Sequence, residues 1–282
     1  MVRLFEDGFE SGDFSAWTSV SPYGGGSASV IPEAARSGVY GAEIVVPPPP
    51  LDTEWAGCWI NYGPPAGQTE VFFRGYFYLA AQFPMPADSR FYIMACTQLL
   101  DYESLVNLGV GNQQGDGLPH WRLITRDGTG WISVWGGVVP TTPERICVEI
   151  RIVRAVNGLV ELYVNDVLEA SIPGVDTTQI ILDRVRFGGE LPPRRDFPGN
   201  ANFNPLRVYV DDCVVAQEYI GLDEPPPPPC ESYLTQAECE AAACYWYDGA
   251  CHSEPAPPPP PPPPDLLPLL AICGIIFLLT QI

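Results

Sequence analysis

Residues 1–222 predict an all-β fold, a two-sheet antiparallel sandwich, and three observations carry that expectation. Strand-length runs recur along the segment, several alternate with period two, and Gly, Pro, Asn and Asp punctuate the gaps. No long window before the C-terminal tail carries a 3.6-residue period, so helices have no claim on the core. In order, the runs are 42–46, 70–79, 90–97, 105–111, 121–126, 131–135, 145–154, 159–164, 179–187 and 206–217. The clearest alternation puts Ile146, Val148, Ile150 and Ile152 on one face and Cys147, Glu149, Arg151 and Val153 on the other. In 70–79, Val71, Phe73, Phe77 and Leu79 oppose Phe72, Arg74, Tyr76 and Tyr78. Asp127-Gly128-Thr129-Gly130 and Asn157-Gly158 fall between such runs and read as hairpin turns.

The remaining 60 residues read as a stalk. An acidic Pro-rich linker (223–229) leads to a four-cysteine module (230–252), a second Pro-rich segment (253–265) and an uncharged apolar end (266–282). Polyproline is a stiff spacer, so the octet 257–264 alone spans roughly 25 Å. The stretch LLPLLAICGIIFLLTQI is just long enough to cross a bilayer as a helix, and a Pro octet would tether it away from any core. The expectation is therefore a membrane protein with a single-pass C-terminal anchor and its head exposed on a cell or virion surface. MVRLFEDGFESGDF shows no signal peptide, and a virion that assembles inside its host would reconcile such a start with an external head. Cys230, Cys239, Cys244 and Cys251 lie within 22 residues and suit two disulfides in so small a unit, with zinc as the alternative. Cys58, Cys96, Cys147 and Cys213 are expected as buried free thiols.

Charge narrows the partners. The net charge is −20, all 14 basic residues are Arg, and none lies beyond Arg207. Phosphate contact needs a basic face, so nucleic acid is excluded as a partner. A homo-oligomer is left open.

The opening LFEDGFESGDFSAWT, the following ARSGVYGAEIVV, the middle ERICVEIRIVRAVNGLVELYVNDVLEASI and the closing LRVYVDDCVVA together resemble concanavalin A-like jelly-roll domains, the lectin/glucanase and laminin-G-like sandwiches. The resemblance covers residues 3–220 and implies a jelly roll. Relatives often turn the middle hairpin on Asp-Gly, where this chain has Asn165-Asp166. The resemblance also implies a structural Ca²⁺ site joining the two chain ends, carried by Glu10 and Asp211 with Asp212 and Glu6 beside them. Hard Ca²⁺ wants six to eight oxygens.

Catalytic signals are sparse. Hydrolases of this fold class resemble one another in a strand bearing two or three carboxylates at alternate positions, which places an acid and a nucleophile on one sugar. Here the closest stretch, Glu149-Ile150-Arg151, has Arg in the second place. His120 stands alone in a loop or strand start, and no nucleophile elbow, phosphate loop or metal-binding His pair occurs. The sequence thus leads to a non-catalytic expectation: a surface protein whose head binds a glycan or surface partner. The alternatives are a structural spike or envelope subunit, and a divergent glycoside hydrolase or polysaccharide lyase. Candidate ligand-binding residues are Trp131 and Trp135, which share a strand face across Ser133, Trp121 on the preceding strand, and Arg122 as a donor to hydroxyls or carboxylates. Core packing is the alternative use of these tryptophans.

Overall fold

The computed structural model describes residues 2–79, 82–97, 104–127, 129–178, 180, 182–222, 245–247 and 250–252. It divides into two units, Met1–Glu224 and Pro225–Ile282. The Pro-rich segments, the 266–282 stretch and Cys230, Cys239 and Cys244 lie outside the described residues. Of the second unit, the short antiparallel pair Tyr245–Tyr247 and Ala250–His252 is described; it includes the Cys251 backbone. Among the described residues, no helix is long and apolar enough to cross a membrane.

The first unit is a two-sheet antiparallel jelly-roll sandwich, as the alternation requires. Its strands are β1 (Arg3–Asp7), β2 (Ser19–Tyr23), β3 (Ser27–Ile31), β4 (Gly41–Val46) and β5 (Ala56–Tyr62). They continue as β6 (Glu70–Tyr78), β7 (Arg90–Thr97), β8 (Ser104–Gly111), β9 (His120–Asp127) and β10 (Gly130–Val138). The last five are β11 (Ile146–Val153), β12 (Gly158–Val164), β13 (Val167–Val175), β14 (Arg184–Leu191) and β15 (Leu206–Ala216). The larger sheet has the order β13-β12-β11-β6-β15-β4-β3, with β1 also paired to β15. The smaller sheet runs β10-β9-β8-β7-β14-β5-β2.

One hydrophobic layer lies between the sheets. Val71, Phe73 and Phe77 of β6 and Val148, Ile150 and Ile152 of β11 meet Ile60, Phe91, Ile93, Val106, Leu108 and Phe187 from the smaller sheet, all fully buried. Burial at about 25 cal/mol per Å² of apolar surface makes this layer the dominant stabilising term. The Asn165-Asp166 turn takes positive φ at both residues, the geometry of a tight hairpin turn. Cys58, Cys96, Cys147 and Cys213 are buried and free, and burial pushes the first three thiols up to about 11, 12 and 12.

The two chain ends are joined by protein contacts. A bulge in β15 holds Asp212 at φ 48° and turns the fully buried Asp211 toward the segment after β3. Asp211 accepts from the Arg36 and Ser37 amides at 2.6 and 3.2 Å and from the Asp212 amide at 2.8 Å. Arg36 pairs with Asp212 at 2.6 Å, and Ser37 Oγ donates to it at 2.8 Å. Glu10 instead accepts from the Val39 and Tyr40 amides, and Glu6 pairs with Arg3.

The carboxylates that the resemblance assigns to calcium are bonded within the protein. Their oxygens are aimed at amides and guanidinium groups, and no three His, Cys, Asp or Glu side chains converge among the described residues.

Candidate functional site

Alternation decides what the outer face of the smaller sheet presents. On β9, Leu123 and Thr125 are buried toward the core, so Arg122 and Ile124 face outward. The same rule brings out Asn107 on β8, Arg90 and Tyr92 on β7, Arg186 and Glu190 on β14, Trp59 on β5 and Ser21 and Tyr23 on β2. With Trp55 and Trp131 these residues line a cleft of 780 Å³.

Strand registers align part of this set into a row. Trp135 lies opposite Arg122, Arg122 opposite Gly109, and Gly109 opposite Tyr92. Tyr92 lies opposite Glu190, Glu190 opposite Gly57, and Gly57 opposite Tyr23. The row therefore crosses all seven strands, roughly 29 Å at 4.8 Å per step. The two glycines leave room for rings. A Cβ on Gly109 would stand 2.9 Å from the Tyr92 ring, and one on Gly57 would stand 2.6 Å from Tyr23 Oη. Tyr23 thus leans across Gly57 to donate a short hydrogen bond to Glu190 Oε1, and its oxygen accepts from Trp59 Nε1 at 3.0 Å.

The electrostatics run against the rest of this acidic chain. Arg122 stacks on Trp135 at 4.9 Å and donates to Ser133 Oγ at 2.9 Å. Arg90 donates to Gln113 at 3.0 Å and lies 4.2 Å over the Phe197 ring. In Arg90, Arg122 and Arg186 alike, Nε is buried without a hydrogen-bond partner. Three guanidinium groups along one cleft suit an anionic ligand, because their planar donors match a carboxylate. Burial raises the Glu190 carboxyl above its ordinary range, while Tyr23 and Arg186 pull it back. Burial and the neighbouring Glu190 together keep the Tyr23 phenol protonated far above its ordinary value. Tyr92 is also raised by burial.

The structure separates the sequence candidates. Arg122 and Trp131 line the cleft, Trp131 being 54% exposed, and Trp135 backs Arg122. Trp121 does not join them. It is 1% exposed and belongs to the core between the sheets, because neighbours on a strand point to opposite faces and Arg122 takes the outer one. His120 sits at the start of β9, bonded to Asp116 at 2.8 Å. Glu149 is buried in the larger sheet, where it accepts from the Ile220 and Gly221 amides at 3.0 and 2.9 Å. Sequence reasoning missed Tyr23, Trp59, Arg90, Tyr92, Arg186 and Glu190. The available signal was Arg alternating within otherwise apolar runs, at Arg90 before Tyr92 and at Arg184 and Arg186.

This is the concanavalin A-like jelly-roll fold, with a polar, arginine-lined cleft across its smaller sheet. Solved structures that share it include two with clear superposition. An endo-β-1,4-glucuronan lyase from the fungus Trichoderma reesei superposes with a TM-score of 0.60 at 15% identity, over 77% of this chain and 96% of that one. Cellulose induced protein, Cip1, superposes with a TM-score of 0.54 at 19% identity, over 78% and 100%. No family model and no curated protein matches the chain.

The expectation of a non-catalytic head is corrected by these findings. It rested on the missing paired-carboxylate strand, on a lone His120 and on the absence of a nucleophile elbow, phosphate loop or metal-binding His pair. A lyase is built on this same fold, and the cleft holds a carboxylate–phenol pair beside buried arginines.

Proposed function

We propose that the smaller-sheet cleft binds an acidic polysaccharide and cleaves it by β-elimination. The observation that carries the reading is the set of three arginines, Arg90, Arg122 and Arg186, that line one cleft in a chain of net charge −20. Guanidinium groups suit carboxylates through planar paired hydrogen bonds, and the exposed Trp131 and Trp55 offer ring faces to sugars.

In this reading Arg186, on the same strand as Glu190, and Arg90, on the next, hold the carboxylate of the reacting uronate, while Arg122, farther along the row, holds another unit of the polymer. The two near guanidinium groups stabilise the charge that spreads onto that carboxylate when the neighbouring C5 loses its proton. Glu190, made more basic by burial, accepts that proton. The electron pair left on C5 forms the C4–C5 double bond and expels the glycosidic oxygen from C4. Tyr23 Oη protonates the departing oxygen, and the proton on Glu190 returns to Tyr23 through their hydrogen bond. One chain becomes two, no water is consumed, and the new non-reducing end is unsaturated. Hydrolysis through two carboxylates fits less well. It needs a second carboxyl group about 5–9.5 Å from the first, and Glu190 is the only carboxylate among the described lining residues.

The cysteine module, Pro-rich segments and apolar 266–282 stretch would hold this head away from a membrane on a cell or virion surface. The test of the reading is incubation of the full chain with acidic and neutral polysaccharides, scored by ultraviolet absorbance of unsaturated uronate. Product from acidic polymers alone, lost in Glu190→Gln, supports it. Cleavage of neutral polymers, or equal activity in Glu190→Gln, overturns it.

A further inference from the structure

Charge is unevenly placed along the cleft. The arginines stand on β9, β7 and β14. Past β14, on β5 and β2, the lining side chains are Trp59, Ser21 and Tyr23, and none is a cation. Glu190 stands at the boundary, three strand steps from Arg122 along the row, or about 14 Å. The cleft therefore has a cationic half, a carboxylate–phenol pair, and an uncharged half of hydroxyls and indole.

We infer that the polymer alternates, with a hexuronate in the arginine half and an uncharged sugar in the β5–β2 half. The inference rests on the elimination reading above. A second uronate in the β5–β2 half would bring its carboxylate beside Glu190, where the near lining cation, Arg186, is already engaged with Glu190 and Tyr23 and none stands on β5 or β2. Like-charge juxtaposition of this kind discriminates between partners even where the attractive contacts are equal. An uncharged sugar meets the Ser21 hydroxyl, the Tyr23 phenol and the edge of Trp59 without that penalty. The arrangement also sets the products. In elimination the oxygen released from C4 stays on the departing sugar. The uncharged sugar becomes the new reducing end, and the uronate keeps the double bond.

The test presents the full chain with hyaluronan and unsulfated chondroitin, in which glucuronate alternates with an uncharged amino sugar. Glucuronan and alginate are the homouronic comparison, at equal uronate concentration and low salt. The expected result is unsaturated product from the alternating polymers faster by on the order of tenfold. Each product should carry an uncharged sugar at its reducing end. Ser21→Arg, which adds a cation to the uncharged half, is expected to raise the homouronic rate and narrow the ratio. Homouronic polymers cleaved as fast or faster would overturn the alternation while leaving elimination standing, and so would a ratio that Ser21→Arg leaves unchanged. Absence of unsaturated product from all four polymers, bound or not, would remove the elimination reading and this inference with it.

Discussion

Gly57→Ala tests the carboxylate–phenol pair without touching either partner. The new methyl carbon would stand 2.6 Å from Tyr23 Oη, 2.8 Å from Tyr23 Cζ and 3.0 Å from the Gly189 carbonyl oxygen. The carbonyl belongs to the sheet and holds its place, so the ring must move. Tyr23 then loses its bonds to Glu190 and to Trp59. A hydrogen bond to a charged group is worth about 1.5–3 kcal/mol and a neutral one about 1 kcal/mol. For a domain of this size, losing both lowers the unfolding midpoint by roughly 5–15 °C. Tyr23→Phe removes the same two bonds with no added atom. Thermal unfolding of both single variants and the double variant, followed by circular dichroism, closes the cycle. If Gly57→Ala acts through Tyr23, the double variant falls within about 0.5 kcal/mol of the worse single one. Additive losses, or an unaltered midpoint for Gly57→Ala, would refute the reasoning.

Three further outcomes are expected. Arg90→Ala, Arg122→Ala and Arg186→Ala should each weaken binding of an acidic polysaccharide by about 10- to 100-fold, the worth of one charge-assisted hydrogen bond, with a shallower salt dependence by titration calorimetry. Cleavage needs ionised Glu190, whose carboxyl burial raises, so the acidic limb of the pH–rate profile should lie above the ordinary Glu range; Arg186→Gln, which removes a cation favouring the carboxylate, should move it higher still. Burial holds Asp211 at about 6 against an ordinary 3.8, so the folded state binds this proton more tightly than the unfolded chain. Its contribution to stability should therefore be fully present below the ordinary value and lost as pH rises through about 6. Asp211→Asn should flatten that window by up to about 3 kcal/mol in denaturant titrations at stepped pH.

The sandwich was legible because its signal is local. Period-two runs such as 146–153 and the Asn157-Gly158 turn need only neighbours in sequence. The tight strand pairs β6 and β11, or β14 and β5, follow from which faces are apolar but not from chain order. The cleft was only half legible for that reason. Trp131, Trp135 and Arg122 sit on one hairpin and could be grouped by alternation. Tyr23 and Glu190 lie 167 residues apart in sequence and meet only because β2, β5 and β14 are neighbours in the sheet. Reading Trp121 and Arg122 as joint ligand contacts conflicted with the alternation itself, and the core took the indole. The calcium expectation came from the resemblance. The paired Asp of β15 is present, and its carboxylates accept from Arg36.

Mass spectrometry of the products from one defined acidic oligosaccharide tests elimination most directly. The account expects two fragments whose masses add up to that of the substrate, with unsaturation on the uronate fragment. Glu190→Gln is expected to slow their formation by about 10²- to 10⁴-fold while binding persists. Fragments whose masses add up to substrate plus one water would contradict it, because the cleft would then be hydrolysing the bond.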